Sequence, residues 1–210
     1  DEDPEKRAEL YQSFCQFIDL ASDYGNLVNI GRTRGPIAGR EYAYAESLFL
    51  DMAHKVADYA EKRGVTLILE PVNRYEIDFL NNLDQTSAML RKINRPSFQM
   101  MPDVFHMNIE EDSMGGAIRT AGKHLGHFHT GECNRRVPGQ GRMPWHEIGS
   151  ALRDIGYEGN VVMEPFVKTG GQVGKDIKIW REMNENASTA QMDEEAAGSA
   201  RFLRFVFEGK

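Results

Sequence analysis

The apolar positions Leu10, Phe14, Phe17, Ile18 and Ala21 recur at helical spacing, which predicts an amphipathic helix from Pro4 to Tyr24 closed by Gly25. Leu27-Val28-Asn29-Ile30 is a short apolar run of strand type. A loop containing Gly and Arg, Gly31 to Arg40, then leads into a second helix ending near Arg63-Gly64. Val65 to Leu69 is a nearly continuous apolar run, the pattern of a strand buried on both faces of a parallel sheet. The same reading gives a helix over Leu83 to Ile93, a strand over Phe98 to Phe105 and a short helix near Ala117. A strand around Leu125 to Thr130, a helix over Trp145 to Ile155 and a strand over Asn160 to Phe166 follow. Ile177 to Trp180 reads as a further strand, and the final helix is expected from Asp193 to Phe207.

Strand and helix alternate, and no Asn-Gly type of hairpin turn separates the strands, so the pattern is one of βα units on a parallel sheet. The expected class is α/β, a parallel (β/α) barrel of TIM type, in one domain over 1–210. Six strand–helix units are legible, fewer than the roughly eight of a closed barrel. The chain opens on Asp1 rather than Met, inside what reads as a helix start. The expectation is therefore an N-terminally incomplete barrel without its first two units.

Composition narrows the function classes. With 40% hydrophobic and 27% charged residues, the 210-residue chain has the make-up of a globular domain with a real core. A net charge of −7 argues against nucleic-acid backbone binding, which needs clustered Lys and Arg. The two cysteines, Cys15 and Cys133, make no disulfide framework, and a reducing, cytoplasmic setting is expected. No apolar run is long enough to span a bilayer, so no membrane partner is expected. No Gly-x-Gly-x-x-Gly opens a helix and no Walker-type Lys is present, which argues against nucleotide cofactors.

In a parallel barrel the chemistry sits at the C-terminal ends of strands. Here four successive strand ends present Glu70, Asp103 with His106, His127 with His129, and Glu164. Any one acid after a strand is ordinarily a helix cap or a solvated loop residue. His127 and His129, at period two, share one strand face and alone would read as a satisfied polar pair. Four consecutive ends bearing oxygen and nitrogen donors are a different matter, because several carboxylates gathered in a low-dielectric site repel unless a cation joins them. Three carboxylates and one imidazole form a hard donor set. It suits Mn²⁺, and Co²⁺ or Mg²⁺ after it, better than a structural zinc.

These strand ends resemble the sugar isomerase/epimerase superfamily of xylose isomerase-like TIM barrels, and within it the D-tagatose/D-psicose/L-ribulose 3-epimerase group. The resemblance is carried by Leu69-Glu70-Pro71-Val72-Asn73-Arg74-Tyr75-Glu76, by Asp103-Val104-Phe105-His106-Met107-Asn108-Ile109-Glu110-Glu111, by Gly126 to Arg136, and by Val162-Met163-Glu164-Pro165-Phe166. It implies Glu70, Asp103, His129 and Glu164 as ligands of one divalent metal, with Glu70 and Glu164 also the acid/base pair. It implies further that Glu76, His106 and Arg135 hold the O1 and O2 end of the substrate. The reaction implied is inversion at C3 of a ketose, by deprotonation and reprotonation through an enediolate.

Other readings use the same scaffold: an aldose–ketose or hydroxypyruvate-type isomerase, a sugar-phosphate isomerase, a polyol dehydratase, or a truncated chain that binds metal and sugar without turnover. A multi-zinc endonuclease is disfavoured by the acidic balance and by six histidines in all. The basic loop Gly31-Arg32-Thr33-Arg34-Gly35 admits a phosphate on the substrate, hence a ketose phosphate; it equally admits arginines paired locally. Gly139-Gln140-Gly141 and Gly170-Gly171 read as loop turns. The expected partners are a small ketose and further copies of the chain, in a dimer or tetramer.

Overall fold

The computed structural model describes residues 2–184 and 186–209, which divide into two compact units. The first comprises Asp1–Met101 with His124–His127, and the second Pro102–Lys123 with Phe128–Lys210.

In the first unit the chain runs α1 (Pro4–Tyr24), β1 (Leu27–Ile30), α2 (Tyr42–Arg63), β2 (Thr66–Leu69), α3 (Leu83–Ile93) and β3 (Phe98–Met100). Asp3 caps α1 by accepting a hydrogen bond from the Glu5 amide, and Pro4 occupies the first turn, where its missing N–H costs nothing. The long α2 ends on Gly64 at φ +66°, a left-handed conformation that a side chain would strain. The strands form a parallel sheet in the order β1-β2-β3, with Leu67 opposite Val28 on one side and Phe98 on the other. The central β2 therefore has neighbours on both edges, and Leu67, Ile68 and Leu69 are buried, as the unbroken apolar run predicts. Ile18, Val56, Ala57, Ala60 and Ile93 from the three helices complete this core. On α1, Phe17, Leu20 and Tyr24 remain exposed.

The second unit contains α4 (Val104–Glu110), α5 (Met114–Ala121), most of β4 (His127–Thr130), α6 (Trp145–Asp154), β5 (Asn160–Met163), α7 (Gly171–Asp176) and α8 (Thr189–Glu208). β4 and β5 form a two-stranded sheet. Phe128 on β4 is fully buried, its ring 6.3 Å from Tyr157 and 6.4 Å from Phe207. Trp145 lies 6.2 Å from both Phe202 and Phe207, so α6 and α8 share one aromatic core. Gly149 lets these helices approach: a Cβ there would stand 2.7 Å from the Val206 carbonyl oxygen. α5 is tied to α6 by the Glu147 carboxylate, which accepts from the Ser113 hydroxyl and the Gly115 amide.

Four sequence expectations are corrected, the first being the strand read over Asn160 to Phe166, which stops at Met163. The strand read over Phe98 to Phe105 stops at Met100, because the Asp103 side chain accepts from the Phe105 amide and starts α4 there. Ile177 to Trp180 is no strand: α7 precedes it, and Lys178 turns the chain at φ +62°. The last helix begins at Thr189 instead of Asp193, under a reciprocal cap between Ser188 and Gln191. Five strands are present among the described residues, one fewer than read from the pattern.

Candidate metal centre

The second unit gathers five of the candidate residues. Asp103 follows the break at Pro102 and spends one carboxylate oxygen, Oδ1, on the Phe105 amide at 2.8 Å. Its backbone bridges to His129 in parallel fashion, and the His129 amide donates to the Pro102 carbonyl at 2.8 Å. Glu164 stands one residue beyond β5, where its amide donates to the Thr130 carbonyl at 2.8 Å. Strand pairing thus sets all three side chains side by side. The His129 Nδ1 is 3.7 Å from Glu164 Oε1, and Asp103, His129 and Glu164 each offer one ligand-type atom within 4.8 Å of the others.

Arg135 faces the two acids. Its Nη1 is 3.4 Å from Asp103 Oδ2 and 3.3 Å from Glu164 Oε2, and its side chain is nearly buried. The guanidinium carbon lies 3.6 Å from the centre of the Phe105 ring and 5.1 Å from that of Phe166, so two aromatic faces fix its plane. Arg135 has φ +62°, a conformation held by its own amide donating to the Glu132 carbonyl and by Phe166 donating to the Arg135 carbonyl. His106 is buried in the first turn of α4, its ring edge-on to Phe105, with a ring nitrogen within ligand range of the Asp103 carboxylate.

Glu70 and Glu76 belong to the first unit. Glu70 is buried at the end of β2; its Oε2 accepts from the Asn29 side chain at 3.0 Å and lies over Gly31, where a Cβ would approach to 3.0 Å. Glu76 is half-buried, and its carboxylate accepts from Asn73 at 2.9 Å.

The arginine loop has a structural task. Arg34 donates from Nε to the Phe79 carbonyl, from Nη1 to Gly31 and Glu70, and from Nη2 to Leu80, at 2.7–3.0 Å. Burial pulls its guanidinium down to about 10, with the charge of Glu70 opposing, so it stays cationic at neutral pH. A phosphate reading of this loop loses Arg34 as its donor. His127 lies half-buried in the first unit, where desolvation lowers its pKa and favours the neutral ring.

Sequence reasoning missed Glu132. This wholly buried carboxylate accepts from the Gly139 amide and the Trp145 indole N–H at 2.7 Å each and from the Met143 amide at 3.1 Å. The available signal was the spacing Gly139-x-Gly141-x-Met143-x-Trp145 after an acid in an otherwise polar loop.

The donor set of the second unit fits a divalent cation. Two carboxylates and an imidazole converge, and Arg135 meets each acid through a single nitrogen at more than 3.2 Å. Oxygen predominates and neither cysteine takes part, a hard set by composition.

A family model described as "Xylose isomerase-like TIM barrel" matches residues 1–188. The D-psicose 3-epimerase of Agrobacterium fabrum is 56% identical over 154 residues, 73% of this chain and 53% of that protein. The D-psicose 3-epimerase of Ruminiclostridium cellulolyticum is 51% identical over 159 residues, 76% of this chain and 54% of that protein. The chain thus spans about half the length of the curated relatives it matches. Among solved structures, D-psicose 3-epimerase with D-tagatose from Clostridium cellulolyticum superposes with a TM-score of 0.92 at 41% identity, covering 99% of this chain and 73% of that one. An L-ribulose 3-epimerase gives 0.87 at 29% identity, over 100% and 70%. Parallel strand–helix units, strand-end acids and the family match lead to one conclusion: this chain belongs to the xylose isomerase-like TIM-barrel family.

Proposed function

We propose that the chain carries a ketose 3-epimerase site, with Glu70, Asp103, His129 and Glu164 as ligands of one divalent ion, Mn²⁺ first and Co²⁺ or Mg²⁺ next. The observation that carries the reading is the convergence of Asp103, His129 and Glu164 within 4.8 Å beside a cation clamped between two aromatic rings. Similarity to D-psicose and L-ribulose 3-epimerases supports the substrate class. Glu70 joins by its place at a strand end, buried and oriented by Asn29.

When bound, the ion supplies Lewis-acid stabilisation of the negative charge that develops on the ketose oxygens. The protein's own groups do the proton work. One of Glu70 and Glu164 takes the C3 proton, and the other returns a proton to the opposite face, so the configuration inverts and no net proton is consumed. Each carboxylate serves as base in one direction and acid in the other. Arg135, His106 and Glu76 hold the O1 and O2 end and keep C3 between the two acids. Phe105 and Phe166, stacked on Arg135, restrict water around its guanidinium. Free Cys15 and Cys133 support a cytoplasmic setting, and no helix among the described residues is long and apolar enough to cross a membrane. The unbroken family match over 1–188 supports one (β/α) domain, and we expect a homodimer or homotetramer.

The test is solvent exchange at C3. Purified protein with Mn²⁺ is incubated in D₂O with D-fructose, D-tagatose and L-ribulose and followed by NMR, with Glu164→Gln as control. Deuterium entering C3 in the parent and not in the control is the expected result. No exchange on any ketose, with Mn²⁺ demonstrably bound, overturns the proposal.

A further inference from the structure

We propose that Glu132 is the positioning residue for Arg135, holding the guanidinium in the orientation that receives the ketose; the inference rests on the functional reading given above. Glu132 is far into the protein, with none of its surface exposed, and its partners are neutral N–H groups. An ionised carboxylate in such a place is costly unless its oxygens are well supplied with donors. Three donors come from residues 7, 11 and 13 positions further on, so one side chain gathers the whole stretch to the start of α6.

Arg135 sits inside that stretch. The Glu132 backbone completes the arrangement: its carbonyl accepts from the Arg135 amide at 2.8 Å, and its amide donates to the Arg136 carbonyl at 3.0 Å. These two bonds close the turn in which Arg135 adopts φ +62°. The side chain fixes where this turn stands, and the backbone fixes how the arginine leaves it. Gly141 passes so close that a Cβ would fall on the Glu132 carboxylate, which explains a glycine there at ordinary backbone angles. Trp145, the donor at the far end, is locked against Phe202 and Phe207 of α8. The path from the core to Arg135 is therefore Trp145 indole, Glu132 carboxylate, turn, guanidinium.

Glutamine cannot replace this carboxylate. Its one oxygen keeps two donors at most, and its NH₂ would face the third N–H head-on. Glu132→Gln is thus a sensitive probe, and Trp145→Phe is a milder one that removes a single donor while keeping an aromatic ring. The first readout needs no turnover: the side-chain Nε–H resonance of Arg135 in ¹⁵N-resolved NMR, assigned by its loss in Arg135→Lys. It is expected to shift and broaden in both variants while far-UV circular dichroism stays that of the parent. The second is a double-mutant cycle on ketose KM. Glu132→Gln should raise KM about tenfold in the parent, the scale of one charge-assisted hydrogen bond. It should change KM less than about twofold when Arg135 is already alanine, because the effect passes through that side chain. An unmoved Arg135 resonance, or equal KM penalties in both backgrounds, overturns the proposal. If the parent turns over no ketose, the functional reading falls, and the resonance alone decides the role of Glu132.

Discussion

Replacing Arg34 by methionine removes a guanidinium that ties four backbone carbonyls in the first unit. The loss can be worked bond by bond. The Gly31 carbonyl also accepts from the Arg34 amide, and the Leu80 carbonyl from the Val72 amide, so these two keep a partner after the substitution. The Phe79 and Glu70 carbonyls, on buried residues, bear the larger penalty. A hydrogen bond from a charged donor contributes about 1.5–3 kcal/mol, which gives about 3–6 kcal/mol for the pair. Some of this returns because a partly desolvated charge is also removed, leaving an expected loss of about 3 kcal/mol. Leu80 adds to the sensitivity: it is held at φ +59°, a conformation costing about 1 kcal/mol for a side-chain residue, and Arg34 grips its carbonyl. Urea unfolding at neutral pH measures the change. Hydrogen exchange at the Ile30, Glu70 and Leu80 amides locates it, since these should open first. Arg34→Lys should recover less than half, because one ammonium cannot reach carbonyls at 31, 70 and 79–80 together. A loss under about 1 kcal/mol in Arg34→Met, or full stability in Arg34→Lys, would refute the account.

Asp103→Asn should weaken Mn²⁺ binding at least about tenfold by titration calorimetry while costing less than about 1 kcal/mol of stability, since asparagine also caps a helix. Phe128→Ala should cost about 3–5 kcal/mol in urea unfolding, because a fully buried ring against Tyr157 and Phe207 leaves a cavity. Gly141→Ala should cost about 1–3 kcal/mol and disturb the Arg135 resonance, as its methyl displaces the Glu132 carboxylate. Glu61 is held below the usual carboxylate range, first by its hydrogen bonds from Arg95 and also by Ser97. A lowered folded pKa contributes stability that is present above the unfolded value and lost as pH falls through the folded one. Arg95→Met should therefore lower the urea midpoint at neutral pH, and its difference from the parent should shrink as pH falls and Glu61 becomes protonated in both.

What was legible in the sequence was what is written locally. α1 declares both its ends through Asp3-Pro4 and Gly25, and β2 declares its burial through a nearly continuous apolar run that stops at Glu70. The strand-end donors were legible because each stands where an apolar run stops. Errors arose where a short apolar run has two uses. Val104 to Ile109 continues the hydrophobicity of β3, yet Asp103 caps a helix at that point, and a cap outweighs a few apolar residues. Ser188 and Gln191 announce the start of α8 as plainly, with the acidic Asp193 a competing start signal one turn later. Arg34 and Glu132 are harder to assign from pattern. Three of the four carbonyls that Arg34 reaches lie 36–46 residues away, and in the second case a carboxylate is buried where composition predicts a solvated loop.

The stretch from Gly131 to Trp145 brings its own organiser. Beyond Glu132, it leans outward through Ser199 of α8, whose hydroxyl donates to the Pro138 carbonyl at 2.8 Å, and through the Phe202 ring beside Gly139. For protein engineering this makes it a cassette. Grafted whole, with a tryptophan site and a small hydroxyl to receive it, the segment carries a preset arginine into another barrel. Shuffled residue by residue it fails, since Glu132, Gly139, Gly141 and Trp145 depend on one another. Libraries built on this segment should vary the Arg136 and Arg142 side chains and leave that frame, with Asn134 bonded to Gln140 and Arg136, untouched.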